Sequence, residues 1–170
     1  QRRAERLRRR QLAHFRVRDR IWEMRLAGDI DQVIEAAGAN LQEMDVSFEY
    51  FGVNVVEDED SSPQIRQYSR HRDGAWMYRG NLTHASALLL GFWQEGEIVY
   101  RPDLQRADPY DESRHVPEGL RSVVDVPFSH GTLAVSSLQP DSYGTDDLET
   151  LQALAEVLSE GFRRMEDLRR

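Results

Sequence analysis

Apolar positions recur along this 170-residue chain with two different periods. Near the start, Ala4, Leu7, Gln11, His14, Val17, Ile21 and Met24 step by three and four, which predicts a helix from Ala4 to Leu26. Gln11 and His14 are polar positions on that stripe and can fix its register, as buried polar residues do in coiled coils. Gly28-Asp29 breaks the helix, and Asp29 suits the cap of a second one over Ile30–Met44, with Ile30, Val33, Ile34, Ala37 and Leu41 on one face. The period then becomes two. Strands are expected at Val46–Val56, Gln64–Arg72, Ala75–Arg79 and Ile98–Arg101, with Asp73-Gly74 as a hairpin turn. Thr83–Gln94 reads as a short helix and Pro102–Leu120 as a long loop, a lid or a disordered segment. Two more alternating runs meet at His130-Gly131 as a hairpin. Thr145 is placed to cap a last helix in which Leu151, Leu154, Leu158, Gly161, Met165 and Leu168 again step by three and four.

Strands grouped in hairpins and flanked by helices predict an α+β fold. Its antiparallel sheet should carry the long terminal helices on one face and a helix/loop lid on the other. Three parts are expected: a signalling or coiled-coil helix over 1–27, a core over 28–147, and a helix over 148–170 running on toward an output domain. The two stripes, Leu7, His14, Val17, Ile21 and Met24 with Leu151, Leu154, Leu158, Met165 and Leu168, are expected to form the seam of a homodimer. Both the start at Gln1 and the unstopped last helix are read as cuts from a longer signalling protein.

Charge sharpens this picture. Residues 1–25 carry ten Arg against Glu5, Asp19 and Glu23, while the rest of the chain is strongly acidic and the formal net charge is −8. A basic arm can bind nucleic acid, but this one has only Phe15 and Trp22 as aromatics and carries a helical stripe, so nucleic acid is set aside as a partner. Cysteine is absent, which excludes disulfides, thiolate metal sites and thiol nucleophiles. No run of roughly eighteen apolar residues occurs, so no membrane span is expected and a cytoplasmic setting is assigned.

Catalytic motifs are missing: there is no Gly-rich phosphate loop, no His-Glu-x-x-His and no Gly-x-Ser-x-Gly. His71, His84, His115 and His130 lie singly with no ligand spacing, so no metal is expected. On these grounds the chain is expected not to be an enzyme.

The order Ser122-Val-Val-Asp-Val-Pro-Phe128, a Gly turn, Leu133-Ala-Val-Ser-Ser137, a Pro-containing loop and Asp146-Asp-Leu-Glu-Thr-Leu-Gln-Ala-Leu-Ala155 resembles the C-terminal half of a GAF domain. The resemblance implies a sensory or regulatory module, linked to an upstream sensor and a downstream effector such as a histidine kinase, a nucleotide cyclase or a phosphatase. It also implies a ligand between sheet and lid. Lacking cysteine, the chain has neither the bilin attachment of some GAF domains nor the redox thiols of the methionine-sulfoxide-reducing ones. No Asn-Lys or Asn-Arg pair matches the cyclic-nucleotide signature. Haem through His84, His71 or His115 stays as an alternative, as does catalysis on this fold. No cofactor is assigned beyond an unidentified small molecule.

Tyr50, Asn54, Trp76, Tyr78, Phe92, Trp93, Arg101, Asp125 and His130 are the candidate ligand residues. Tyr50, Gly52 and Asn54 share one strand face, while Phe51, Val53 and Val55 share the other and should meet helices. Arg101 and Arg79 are assigned to an anionic group, Asp125 and His130 to further hydrogen bonds. The alternative is that the aromatics fill the core, the arginines are exposed, and the module is a ligand-free relay spacer.

Overall fold

A computed structural model of the chain describes residues 2–23, 30–59, 62–82 and 84–169. Four helices, α1 (Arg2–Glu23), α2 (Ile30–Glu43), α3 (Ser86–Glu95) and α4 (Thr145–Arg169), surround six strands. These are β1 (Tyr50–Glu59), β2 (Ser62–His71), β3 (Trp76–Asn81), β4 (Val99–Arg101), β5 (Ser122–Phe128) and β6 (Gly131–Ser137). They form one antiparallel sheet in the order β3-β2-β1-β6-β5-β4, the α+β arrangement that the periods predicted.

Strand alternation divides the sheet into two unlike faces. Phe51, Val53, Tyr68, Val124, Val126, Phe128, Leu133 and Val135 face α2 and α4 and are all buried there. α1 lies outside, packed on α2 and α4. α3 covers part of the opposite face, where Leu89 and Phe92 pack with Ile65 in a smaller apolar cluster.

β1 starts at Tyr50, not at Val46. The cause is the end of α2. Asp45 takes a left-handed φ of 56°, and the amides of Asp45 and Val46 donate back to the carbonyls of Gln42 and Leu41. This is the double hydrogen bond of a Schellman stop, with an aspartate where glycine is usual. Val46 is thereby turned into the core, and Phe48 follows, its ring edge-on to Phe51 at 5.5 Å. The cap of α4 is Gly144, not the expected Thr145: its carbonyl takes the Leu148 amide at 3.0 Å, and its own amide donates to the Asp147 carboxylate at 3.0 Å.

The expected seam is used inside one protomer. Leu151, Leu154 and Leu158 are completely buried in its core, with Met165 6% exposed. Val17 and Ile21 are buried as well, and Gly161 leaves the gap that Ile21 occupies. Leu7 and His14 are half-buried. Met24 and the side chain of Leu168 lie outside the described residues.

The basic arm finds its counter-charges in the same chain. Arg10 is 3% exposed and donates to the Met44 carbonyl, the Thr150 hydroxyl and the Asp147 carboxylate, while Arg3 holds Asp146 with two bonds of 2.9 and 3.0 Å. Arg9, Arg16 and Arg18 pair with Asp45, Glu43 and Glu160. The charge asymmetry of the sequence is thus an intramolecular clamp that fastens α1 to α2 and α4. Among the described residues no helix is long and apolar enough to cross a membrane.

Candidate functional site

A cavity of about 610 Å³ lies between the second sheet face and its lid. Its depth follows from small side chains at the middle of the sheet: Gly52, Ser69, Ala134 and Ser136 line it. Gly52 is opposite both Ser69 and Ala134 in the strand register, so three short side chains meet at the same level. A methyl group at Gly52 would sit 2.7 Å from the Tyr68 carbonyl oxygen, so larger residues are excluded there.

Polar side chains run across this floor in one connected line. Gln67 Nε2 donates to Asn54 Oδ1 at 3.1 Å, and Asn54 Nδ2 donates to Thr132 Oγ1 at 3.1 Å. Thr132 in turn donates to Asp125 Oδ1 at 3.2 Å. The register dictates the row, since Asn54 stands opposite both Gln67 and Thr132. Arg101, 2% exposed, completes the line. It gives Asp125 one bond of 2.7 Å, Glu112 two of 2.7 and 2.8 Å, and the Val99 carbonyl one of 2.7 Å. Buried polar groups need such partners, and linked hydrogen bonds in a low dielectric reinforce one another. Burial pushes the Glu112 carboxyl above the usual range, against the opposing pull of Arg101.

The lid combines Leu82, Leu88 and Leu89 with the segment from Glu112 to Leu120. At the rim the imidazoles of His84 and His115 stack, centroids 5.2 Å apart and 7° from parallel. The long loop is tied at several points. Asp103 takes two bonds of 2.6 and 3.0 Å from Arg121, which with the amide of Gln105 keeps its carboxyl below the usual range. Asp108 accepts the amides of Glu112 and Ser113, and Glu112 is anchored on Arg101.

Of the residues singled out in the sequence, Tyr50, Asn54, Tyr78, Arg101 and Asp125 line the cavity. The others do not. Trp76 stands on the sheet-edge strand, 37% exposed, with Arg70 stacked over its ring at 4.1 Å. Phe92 packs in the apolar cluster beneath α3, and Trp93 donates its indole N–H to the Phe128 carbonyl at 3.0 Å. His130 belongs to the β5–β6 turn, where Glu166 of α4 and the Ser129 hydroxyl hold it. Arg79 pairs with Asp31 at 2.8 Å, away from the cavity. The role assigned to Arg101 also changes, because a guanidinium committed to two carboxylates is not free for an anionic ligand. Of the haem candidates, His84 and His115 are on the rim, while His71 is bonded to Glu49 at 2.6 Å outside it.

Sequence reasoning missed Gln67, Ser69, Glu112 and Ser136. Gln67 and Ser69 alternate with the apolar Ile65 on one face of β2, a signal that becomes readable only once β2 is registered against β1. Glu112 has no periodic signal, since it comes from an irregular loop.

No family model matches the sequence, and no curated protein matches it. Solved structures do match in fold. Free methionine-R-sulfoxide reductase from Neisseria meningitidis, in complex with its substrate, superposes with a TM-score of 0.68 at 15% identity, over 93% of this chain and 90% of that one. The GAF domain of a two-component sensor histidine kinase from Bacillus halodurans gives 0.66 at 16% identity, over 84% and 99%. The GAF domain of phosphoenolpyruvate-protein phosphotransferase from Acinetobacter gives 0.64 at 15% identity, over 92% and 95%. The chain therefore has a GAF-like fold. The expectation that it is not an enzyme is overturned by the same comparison: reductases share this fold over nearly its whole length, so missing motifs of other folds carry no weight.

Proposed function

We propose that this chain is a sensory or regulatory GAF-like module that binds a small molecule between its sheet and its lid. The carrying observation is the cavity itself, with a connected polar floor and an apolar, aromatic wall. Ligand pockets usually have this make-up. Glu112 couples the lid to the floor through Arg101, so occupancy would be felt in the long loop. In this reading the module joins an upstream sensor to a downstream effector, and α1 and α4 transmit the change. Coupling of this kind requires an element with two arrangements, and the arginine clamp between α1 and α4 is suited to that role.

The module is further proposed to work as a homodimer. The interface moves from the expected seam to the outward face of α1, where Leu12, Phe15 and Trp22 are 48%, 58% and 51% exposed. An apolar row of that kind on a solvent-facing helix marks a contact surface. Phe15→Glu should weaken association.

Native mass spectrometry of freshly purified protein tests both parts, because it reports subunit number and any retained small molecule. A monomer without ligand at tens of micromolar would leave a relay spacer as the better account. A second reading, that the cavity transforms what it binds, is favoured by the reductase whose structure holds its substrate. Incubation with the retained molecule and a search for a mass change distinguishes binding from turnover.

A further inference from the structure

The charge inside the cavity is unbalanced, and this specifies its occupant more closely. Among the described residues Arg101 is the one cation at the floor, and it faces two carboxylates, Glu112 at 2.7 Å and Asp125 at 2.7 Å. Its Nε and both positions on Nη2 are committed to them, and Nη1 serves the Val99 carbonyl. Asp108 adds another negative charge close behind Glu112, to whose amide it is bonded. The other basic groups on the lining do not redress this. Arg114 is an exposed rim residue paired with Asp111 at 2.7 Å, and His84 and His115, stacked on one another, are exposed rim residues as well. Each carboxylate oxygen can accept more than one hydrogen bond, so Glu112 and Asp125 keep acceptor capacity that Arg101 does not fill. A second observation points the same way. Ser69 is 5% exposed, lines the cavity, and its hydroxyl makes no hydrogen bond to a described residue. A hydroxyl that opens onto a cavity without a protein partner offers a ligand atom a hydrogen bond.

We propose that the cavity takes a small organic ammonium, a molecule whose protonated amine sits against Glu112 and Asp125 and whose apolar part lies along Leu88, Leu89 and Val123. The inference rests on the ligand-binding reading above and narrows it to one chemical class. An ammonium supplies the missing positive charge and donates several hydrogen bonds, while a carboxylate or phosphate would meet two carboxylates and a guanidinium with a single N–H left. The apolar wall sets the second requirement, since a bare inorganic cation would leave Leu88, Leu89 and Val123 without contacts.

Three probes of matched shape test the charge directly: phenethylammonium, 2-phenylethanol and phenylacetate. Each is titrated into the full chain and followed by backbone amide NMR shifts. Phenethylammonium should bind about tenfold or more tighter than the alcohol, the gain of one charge-assisted hydrogen bond, with phenylacetate weakest. The largest shifts should fall at Ser69, Glu112 and Asp125. Glu112→Gln and Asp125→Asn should each remove most of that preference for phenethylammonium over 2-phenylethanol. Glu112→Gln sits on a loop and keeps an oxygen for Arg101, so it serves as the test if Asp125→Asn fails to fold. Phenylacetate or the alcohol binding as tightly as the amine would overturn the charge assignment and leave the cavity reading standing. No binding by any of the three to a folded protein would overturn both.

Discussion

The two faces of one sheet follow opposite rules. Toward α2 and α4, alternate residues of β1, β5 and β6 are Phe51, Val53, Val124, Val126, Leu133 and Val135, none more than 6% exposed. On the other face the residues between them include Gly52, Asn54, Asp125, Thr132, Ala134 and Ser136. Both faces are hidden from bulk water, so solvent exposure does not explain the contrast. Apolar faces close by packing, because each buried methylene is worth about 0.8 kcal/mol. The polar face cannot close that way without stranding its hydrogen-bonding groups, so it keeps a hollow and satisfies them in a row. A sheet of this construction is stabilised from one side and free to bind on the other.

The largest effect that would break this contrast is expected at Arg101. Arg101→Leu leaves Glu112 and Asp125 buried without their cation, which should lower the unfolding free energy by about 3–5 kcal/mol. Urea denaturation measures it, and a loss under about 1 kcal/mol would mean that the carboxylates accept a proton or water instead.

Neighbours on β6 sharpen the comparison further. Leu133 is fully buried on the helix face, so Leu133→Ala should cost about 2–5 kcal/mol by opening a void. Ala134, one residue on, points into the cavity. Ala134→Leu should change stability by less than about 1 kcal/mol, because it grows into existing space, yet abolish binding of phenethylammonium. Equal destabilisation by the two would show that the hollow is closed in solution.

How much of this the sequence made legible depends on the range of the physics involved. Alternation along β1 placed Tyr50, Gly52 and Asn54 on one face and Phe51, Val53 and Val55 on the other, because the side-chain period of a strand is a local property. Asn54, Arg101 and Asp125 stand out as polar residues within apolar strands, which is also a local signal. The partners were not local. Glu112 reaches Arg101 from an irregular loop, and Gln67 meets Asn54 only through strand register. Phe92 and Trp93 lie off the cavity, and helical spacing does not reveal which side of a short helix faces it. The stripes on α1 and α4 are apolar faces, as their periodicity implies, but periodicity cannot say whether the partner helix lies in the same protomer or in another. Here Ile21 fills the space beside Gly161 of its own chain.

The helix side also buries polar groups, and one of them offers a smaller test. Arg10 lies buried between α1, α2 and α4 with three acceptors, so Arg10→Met should cost about 1–3 kcal/mol and loosen α1. Hydrogen exchange should then accelerate in α1 while β1, β5 and β6 stay protected. Uniform acceleration would show instead that α1 unfolds together with the sheet.

The smallest expected effect concerns His14, whose two ring nitrogens are buried on α1 without hydrogen-bond partners. Burial, with Arg18 and Arg10 nearby, lowers its pKa from 6.5 to about 4. The folded chain therefore holds the imidazole neutral, while the unfolded chain takes up a proton as pH falls below 6.5. Stability should fall as pH drops from 6.5 toward about 4, with no contribution from this group at higher pH. His71 acts in the opposite sense, since its bond to Glu49 raises its pKa and its contribution is lost as pH rises. Comparing wild type with His14→Leu isolates the first effect from the second. The variant should gain stability at pH 5 relative to wild type and gain less at pH 8, read as urea midpoints at the two values. Identical pH dependence in the two proteins would show that His14 reaches water in the folded state, and that the α1–α4 junction is more open than the clamp of arginines implies.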